Sequence, residues 1–100
     1  MEILVVFKNV GMRVGVSYEL KKMGYDPLSM ERIIPDAFFK NQIIICDDSI
    51  TAKKLKLFGN KVILIADKPS VQFEEIPFID IVRFTSNALK EKISIELEHV

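Results

Sequence analysis

The run Ile43-Ile44-Ile45-Cys46 restricts this chain more than any other stretch. Four apolar residues in succession, three of them β-branched, fit a strand covered on both faces. Such strands lie inside parallel sheets that carry helices above and below. The run stops at two carboxylates, Asp47 and Asp48. In an open α/β sheet, ligand chemistry gathers just beyond the carboxyl ends of the strands. Asp47 therefore stands where such a domain keeps a functional acid. Asp is also a common turn former, so the pair can equally well just end the strand and begin the next turn.

The remaining chain supplies the other layers. Ile3-Leu4-Val5-Val6-Phe7 is a second continuous apolar run and predicts a first, central strand. Lys8-Asn9-Val10-Gly11 breaks it. Met12, Val16, Leu20 and Met23 then share one helical face, with Arg13, Glu19, Lys21 and Lys22 elsewhere. Gly24 is placed to stop that helix. Tyr25-Asp26-Pro27-Leu28-Ser29 holds a short second strand, which Pro27 pushes to the sheet edge. Ile33, Ile34, Ala37 and Phe38 can share a helix face, divided by Pro35.

After the central run, Ser49 or Thr51 can cap a short helix that Gly59-Asn60 ends. Its lysines, Lys53, Lys54 and Lys56, read as a solvated face, because no aromatic stacking platform accompanies them. Lys61-Val62-Ile63-Leu64-Ile65-Ala66 predicts another buried strand, and Phe78-Ile79-Asp80-Ile81-Val82-Arg83-Phe84 the last one. Thr85 or Ser86 caps a final helix in which Leu89, Ile93 and Leu97 recur every fourth residue. Ile93-Ser94-Ile95-Glu96-Leu97-Glu98 also alternates as a strand would. The helix-forming stretch before it favours helix throughout, and that leaves Ile95 off the buried stripe.

Composition bounds the function. The chain has 100 residues, enough for one small domain spanning 1–100 with a real core. Apolar residues make up 49% of it, which argues against disorder. The formal net charge is zero, so charge gives no reason to expect direct nucleic-acid or membrane contact. No apolar run is long enough to span a bilayer, and the first residues enter a strand without a basic leader. A cytoplasmic protein is expected. Cys46 is the sole cysteine, so neither an internal disulfide nor a Cys-based zinc site is expected.

Strands alternating with helices require right-handed crossovers and a parallel sheet with helices on both faces. A strand order of 2-1-3-4-5 is the common solution at this size. It sets the first and third strands side by side, so the end of the first run meets Asp47 at the topological switch point.

At this stage the residues resemble a family. Glu2-Ile3-Leu4-Val5-Val6, then Asn9, Met12-Arg13 and Glu19-Leu20-Lys21-Lys22-Met23-Gly24-Tyr25, look like the opening of a response-regulator receiver domain. Ile43-Ile44-Ile45-Cys46-Asp47 looks like the receiver strand that ends in the phosphoacceptor aspartate. Ile81-Val82-Arg83-Phe84-Thr85, followed by Ala88-Leu89-Lys90-Glu91-Lys92-Ile93, looks like the last strand and helix. The resemblance implies a flavodoxin-like, CheY-like three-layer α/β sandwich and a role in two-component signalling.

The departures from the family pattern are as informative. Active receivers follow the first strand with an acidic pair that holds Mg²⁺; here those positions are Phe7 and Lys8. Ala66 stands where the family has Ser or Thr, and Arg83 where it has Lys. Only the acceptor-like Asp47 is kept. Asp47 and Asp48 alone are a thin oxygen set for a hard cation, so no metal or other cofactor is expected. The spans between Asp48 and Lys61 and between Asp67 and Phe78 are short, so the third and fourth helices should be shortened or missing. These features resemble a degenerate receiver, a pseudo-receiver. The Lys8 ammonium can then replace the metal as a fixed charge beside Asp47, or it can extend into solvent.

The expected function is a non-catalytic regulatory module of signal transduction or transcriptional control. It would act by contact with a protein partner or a second copy. Val71, Phe73 and Ile76, with Ile95, are the expected interface. Two alternatives stay open. One is a phosphoaccepting receiver using Asp47. The other is a flavodoxin-like small-ligand domain, for which Gly11-Met12-Arg13-Val14-Gly15 is a weak phosphate-loop match.

Overall fold

The computed structural model describes residues 3–31, 42–66, 78–80 and 84–98. The elements run β1 (Ile3–Val6), α1 (Val10–Lys22), β2 (Leu28–Met30), β3 (Ile43–Cys46), α2 (Ser49–Leu57), β4 (Lys61–Ala66), β5 (Phe78–Asp80) and α3 (Ser86–Glu98). All strand pairs are parallel, in the order β2-β1-β3-β4-β5. The order 2-1-3-4 of the first four is the one expected from the sequence. The three-residue β5 pairs along the outer side of β4.

Strand alternation sorts the apolar runs into two cores. Ile3, Val5, Phe7, Ile43, Ile45, Ile63, Ile65 and Ile79 pack with Val16 and Leu20 of α1 and Leu89 and Ile93 of α3. Leu4, Val6, Ile44, Cys46, Val62 and Leu64 pack with Ala52 and Leu55 of α2. Helices therefore cover both faces, and this is why the runs show no polar alternation. Each Val, Leu, Ile or Phe among them contributes about 1.5–3 kcal/mol when fully buried.

Local signals set the helix ends. Asn9 caps α1: its side chain accepts from the Met12 amide at 2.9 Å. The helix thus starts at Val10, inside the stretch read from the sequence as a break. Met23 closes it, and Gly24 follows at φ +95°, a conformation that favours glycine. Asp48, rather than Ser49 or Thr51, caps α2. Thr85 accepts from the Ala88 amide at 3.1 Å and caps α3. The final segment is helical to Glu98, and Ile95 is 47% exposed, off the buried side marked by Leu89 and Ile93. β2 follows Pro27 directly and lies at the sheet edge.

Several sequence expectations fall outside the described residues: the helix around Ile33 and Phe38, Arg83, and the interface residues Val71, Phe73 and Ile76. The helix after β3, third of those expected, has nine residues.

One buried polar residue joins three elements. The Asn60 side-chain amide donates to the Leu55 carbonyl of α2 at 2.9 Å, and its oxygen accepts from the Gln42 amide at 3.2 Å, just ahead of β3. Lys61, the first residue of β4, donates its own amide to the Gln42 carbonyl at 2.9 Å. Asn60→Ala removes both side-chain bonds, each worth about 0.5–1.5 kcal/mol. We expect a Tm fall of roughly 4–8 °C per kcal/mol for a domain of this size. A melting curve unchanged from wild type would contradict the role given to Asn60.

Candidate functional site

The pairing of β1 with β3 runs from Ile3 opposite Ile43 to Val6 opposite Cys46. Both strands end at the same level, and the chain after each one meets there. Asp47 is half-buried at this edge. Its Oδ2 accepts a hydrogen bond from the Lys8 main-chain amide at 3.1 Å. The junction of β1 and β3, where strand order reverses, therefore carries a carboxylate bound to a backbone N–H.

The sequence leaves two readings for Lys8, an ammonium beside Asp47 or a side chain in solvent. The structure makes the contact through the Lys8 backbone instead. The Lys8 side chain is exposed, and Lys22 pairs with Glu19 at 3.7 Å elsewhere on the surface. The Lys8 charge still acts at a distance: it is the smallest of several influences that lower the pKa of Asp48.

Phe7 has a structural task of its own. Its ring is fully buried in the core beneath α1 and α3. Its amide donates to the Met30 carbonyl at 3.2 Å, extending the β1–β2 ladder by one residue. Its carbonyl accepts from the Arg13 guanidinium at 2.9 Å. Arg13 thereby fixes the turn that leads from β1 to Lys8. A carboxylate at position 7 would be buried in an apolar core, at a cost of several kcal/mol.

Asp48 faces the other way along the chain. Its Oδ2 accepts from the Thr51 hydroxyl at 2.7 Å and from the Thr51 amide at 3.3 Å. The hydroxyl bond is the main reason its carboxyl lies below the ordinary range, followed by the opposing effect of burial and then the Thr51 and Ile50 amides. Asp48 is thus committed to capping α2, which fits the turn reading for this residue. Cys46 is fully buried, and burial pushes its thiol up to about 12. A thiol held neutral in this way is a packing group, not a nucleophile. Ala66 ends β4, half-buried against the α2-side core.

These side chains do not fit Mg²⁺. A magnesium site needs near-octahedral oxygen geometry. Here Phe7 is core, Lys8 is basic, and one Asp48 oxygen is taken up by Thr51. Among the described residues no group of three or more His, Cys, Asp or Glu converges on one point. Gly11 to Gly15, weighed above as a phosphate loop, lie inside α1 and form no loop.

Three contacts had no signal in the sequence. The Ser17 and Ser29 hydroxyls meet at 2.6 Å and tie α1 to β2. Ser86 donates to the Glu19 carboxylate at 2.5 Å and ties α3 to α1. The Lys8 amide bond to Asp47 is the third. Each joins residues distant in sequence, so no local pattern announces it.

Comparison with models of known protein families, with curated proteins and with solved structures found no match for this chain. Among the described residues, no helix is long and apolar enough to cross a membrane.

The Asp48 cap has a pH signature. Its folded pKa is lowered, so its stabilisation is fully present above the unfolded value near 3.8 and is lost as pH falls through the folded value. Asp48→Ala should cost about 0.5–2 kcal/mol at neutral pH. Asp48→Asn keeps the cap geometry and should cost far less there, while flattening the loss of stability below pH 4. Equal destabilisation by both variants at neutral pH would refute the capping role.

Proposed function

We propose that the chain is a receiver-like regulatory module that works through protein contact. We read the three-layer arrangement as a flavodoxin-like, CheY-like sandwich with shortened connecting helices. The observation that carries this reading is Asp47. It stands past the carboxyl end of β3, beside the end of β1, in a sheet whose order places those strands together. That is the position of an acceptor aspartate in the family the sequence resembles.

The same surroundings favour a non-catalytic module. Position 7 is committed to the core, position 8 is basic, and the carboxylate is bound to a main-chain amide. Phosphoryl transfer to a carboxylate concentrates negative charge, and catalysis of it rests on positioning and charge neutralisation. One exposed lysine without a convergent cation site provides little of either. The phosphoaccepting alternative draws on the partial exposure of Asp47; the assay below separates the two.

Incubating the chain with Mg²⁺ and a small acyl-phosphate donor should leave its intact mass unchanged. Mg²⁺ alone should leave its Tm unchanged. A bound ion at a hundredfold excess over Kd would add about 2.7 kcal/mol. A phosphoryl adduct that Asp47→Asn abolishes, or a clear Mg²⁺-dependent rise in Tm, would replace this proposal with the phosphoaccepting one.

A further inference from the structure

The side of α1 turned away from the sheet is unusual for a surface helix. Val16 and Leu20 face the core, with Met12 and Met23 packed beside them. Yet Val10, Val14 and Tyr18 are apolar too, and they are 61%, 61% and 60% exposed. Their four-residue spacing sets them in one row along the helix. Single exposed apolar residues are ordinary, but a contiguous row of them marks a contact surface. Gly11 and Gly15 flank the row, and a Cβ at Gly15 would meet nothing within 4 Å, so the surface beside the row is low and open.

Charge identifies the occupant. Lys8 precedes the row, and Lys21 and Lys22 follow it; all three are exposed. The Lys22 ammonium lies 5.4 Å from the centre of the Tyr18 ring, so the cation borders the apolar surface itself. The acid of this helix, Glu19, is engaged by Ser86 and Lys22. The Arg13 guanidinium turns inward to the Phe7 carbonyl. The surface is therefore apolar along its middle and basic at both ends. Two copies packed row to row would oppose lysines to lysines, or lysines to Lys8 and the positive end of the helix dipole. A second copy is disfavoured in either direction.

We propose that the Val10–Val14–Tyr18 row of α1 is a docking site for an acidic amphipathic helix of a partner protein. Apolar residues of that helix would lie along the row, and its flanking carboxylates would meet Lys8, Lys21 and Lys22. This is the groove mode of helix recognition, with apolar anchors and charge setting direction. The proposal rests on the protein-contact reading above for the class of occupant, but not on the chemistry of Asp47. Failure of either one leaves the other testable.

The test uses the full chain, labelled with ¹⁵N, and three synthetic peptides of roughly 18 residues, long enough to hold a helix. One has leucines at i, i+3, i+4 and i+7 spacing with glutamates between. The second replaces the glutamates with lysines. The third has the composition of the first in scrambled order. The acidic amphipathic peptide should shift amides of residues 10–22 saturably, and the other two should not. Val14→Glu, at an exposed helical position that tolerates glutamate, should weaken binding by at least about tenfold. The Lys21→Glu, Lys22→Glu double variant should do the same. Equal binding of the scrambled peptide would reduce the site to a non-specific polyanion contact and overturn the proposal. So would shifts centred elsewhere, no shifts at millimolar peptide, or full binding by both variants. Self-association of the wild type that Val14→Glu abolishes would assign the surface to a second copy instead.

Discussion

The side-by-side pairing of β1 and β3 is the constraint on which the rest depends. Both strands are buried along their length, so each must have a helix layer above and below. Parallel neighbours need crossovers, and the crossovers supply those layers: α1 and α3 on one face, α2 on the other. The pairing also brings two chain turns to one edge. There the Lys8 amide, freed from the ladder at the end of β1, finds the Asp47 carboxylate as its acceptor.

That arrangement explains why the edge differs from a metal-binding one. Phe7 is the last residue of the inward-facing series Ile3, Val5, Phe7. The alternation that builds the core beneath α1 and α3 therefore extends one step past β1. An acid at that position would have to leave the core to reach a cation. Arg13 then holds the Phe7 carbonyl, and Asn9 starts the helix two residues later. The turn is fixed by side-chain bonds to the main chain at Phe7, Lys8 and Met12, and its one exposed side chain with charge is Lys8. The exposed row of α1 begins immediately after this turn, so docking there and the state of Asp47 would share the same short segment of backbone.

What could be read from the sequence follows from physics. Ile43 to Cys46 and Ile3 to Val6 were legible because burial on both faces leaves an unbroken apolar signal. The Met12, Val16, Leu20 stripe and the Leu89, Ile93 stripe were legible from helical spacing, and Asp47 from its place after a buried strand. The cap of α2 is Asp48 where the sequence offers Ser49 or Thr51, because all three are good caps and only the geometry chooses. Asn60 was read as a helix stop, although its side chain bridges α2 to the start of β3. For Lys8 the sequence offers an ammonium beside Asp47 or a side chain in solvent, since a side chain is the part of a residue that a sequence displays; the side chain is exposed, and the contact comes from the main chain. Main-chain donors are the same at every position, so their partners emerge only when the strands are in register.

Asp47 is held by the Lys8 main-chain amide. The Lys8 amide proton reports on this directly by nuclear magnetic resonance. It should resonate downfield as a donor to a carboxylate, lose that feature in Asp47→Ala, and ignore added Mg²⁺. A Lys8 amide that behaves as a free loop amide, or one that Mg²⁺ displaces, would contradict the account.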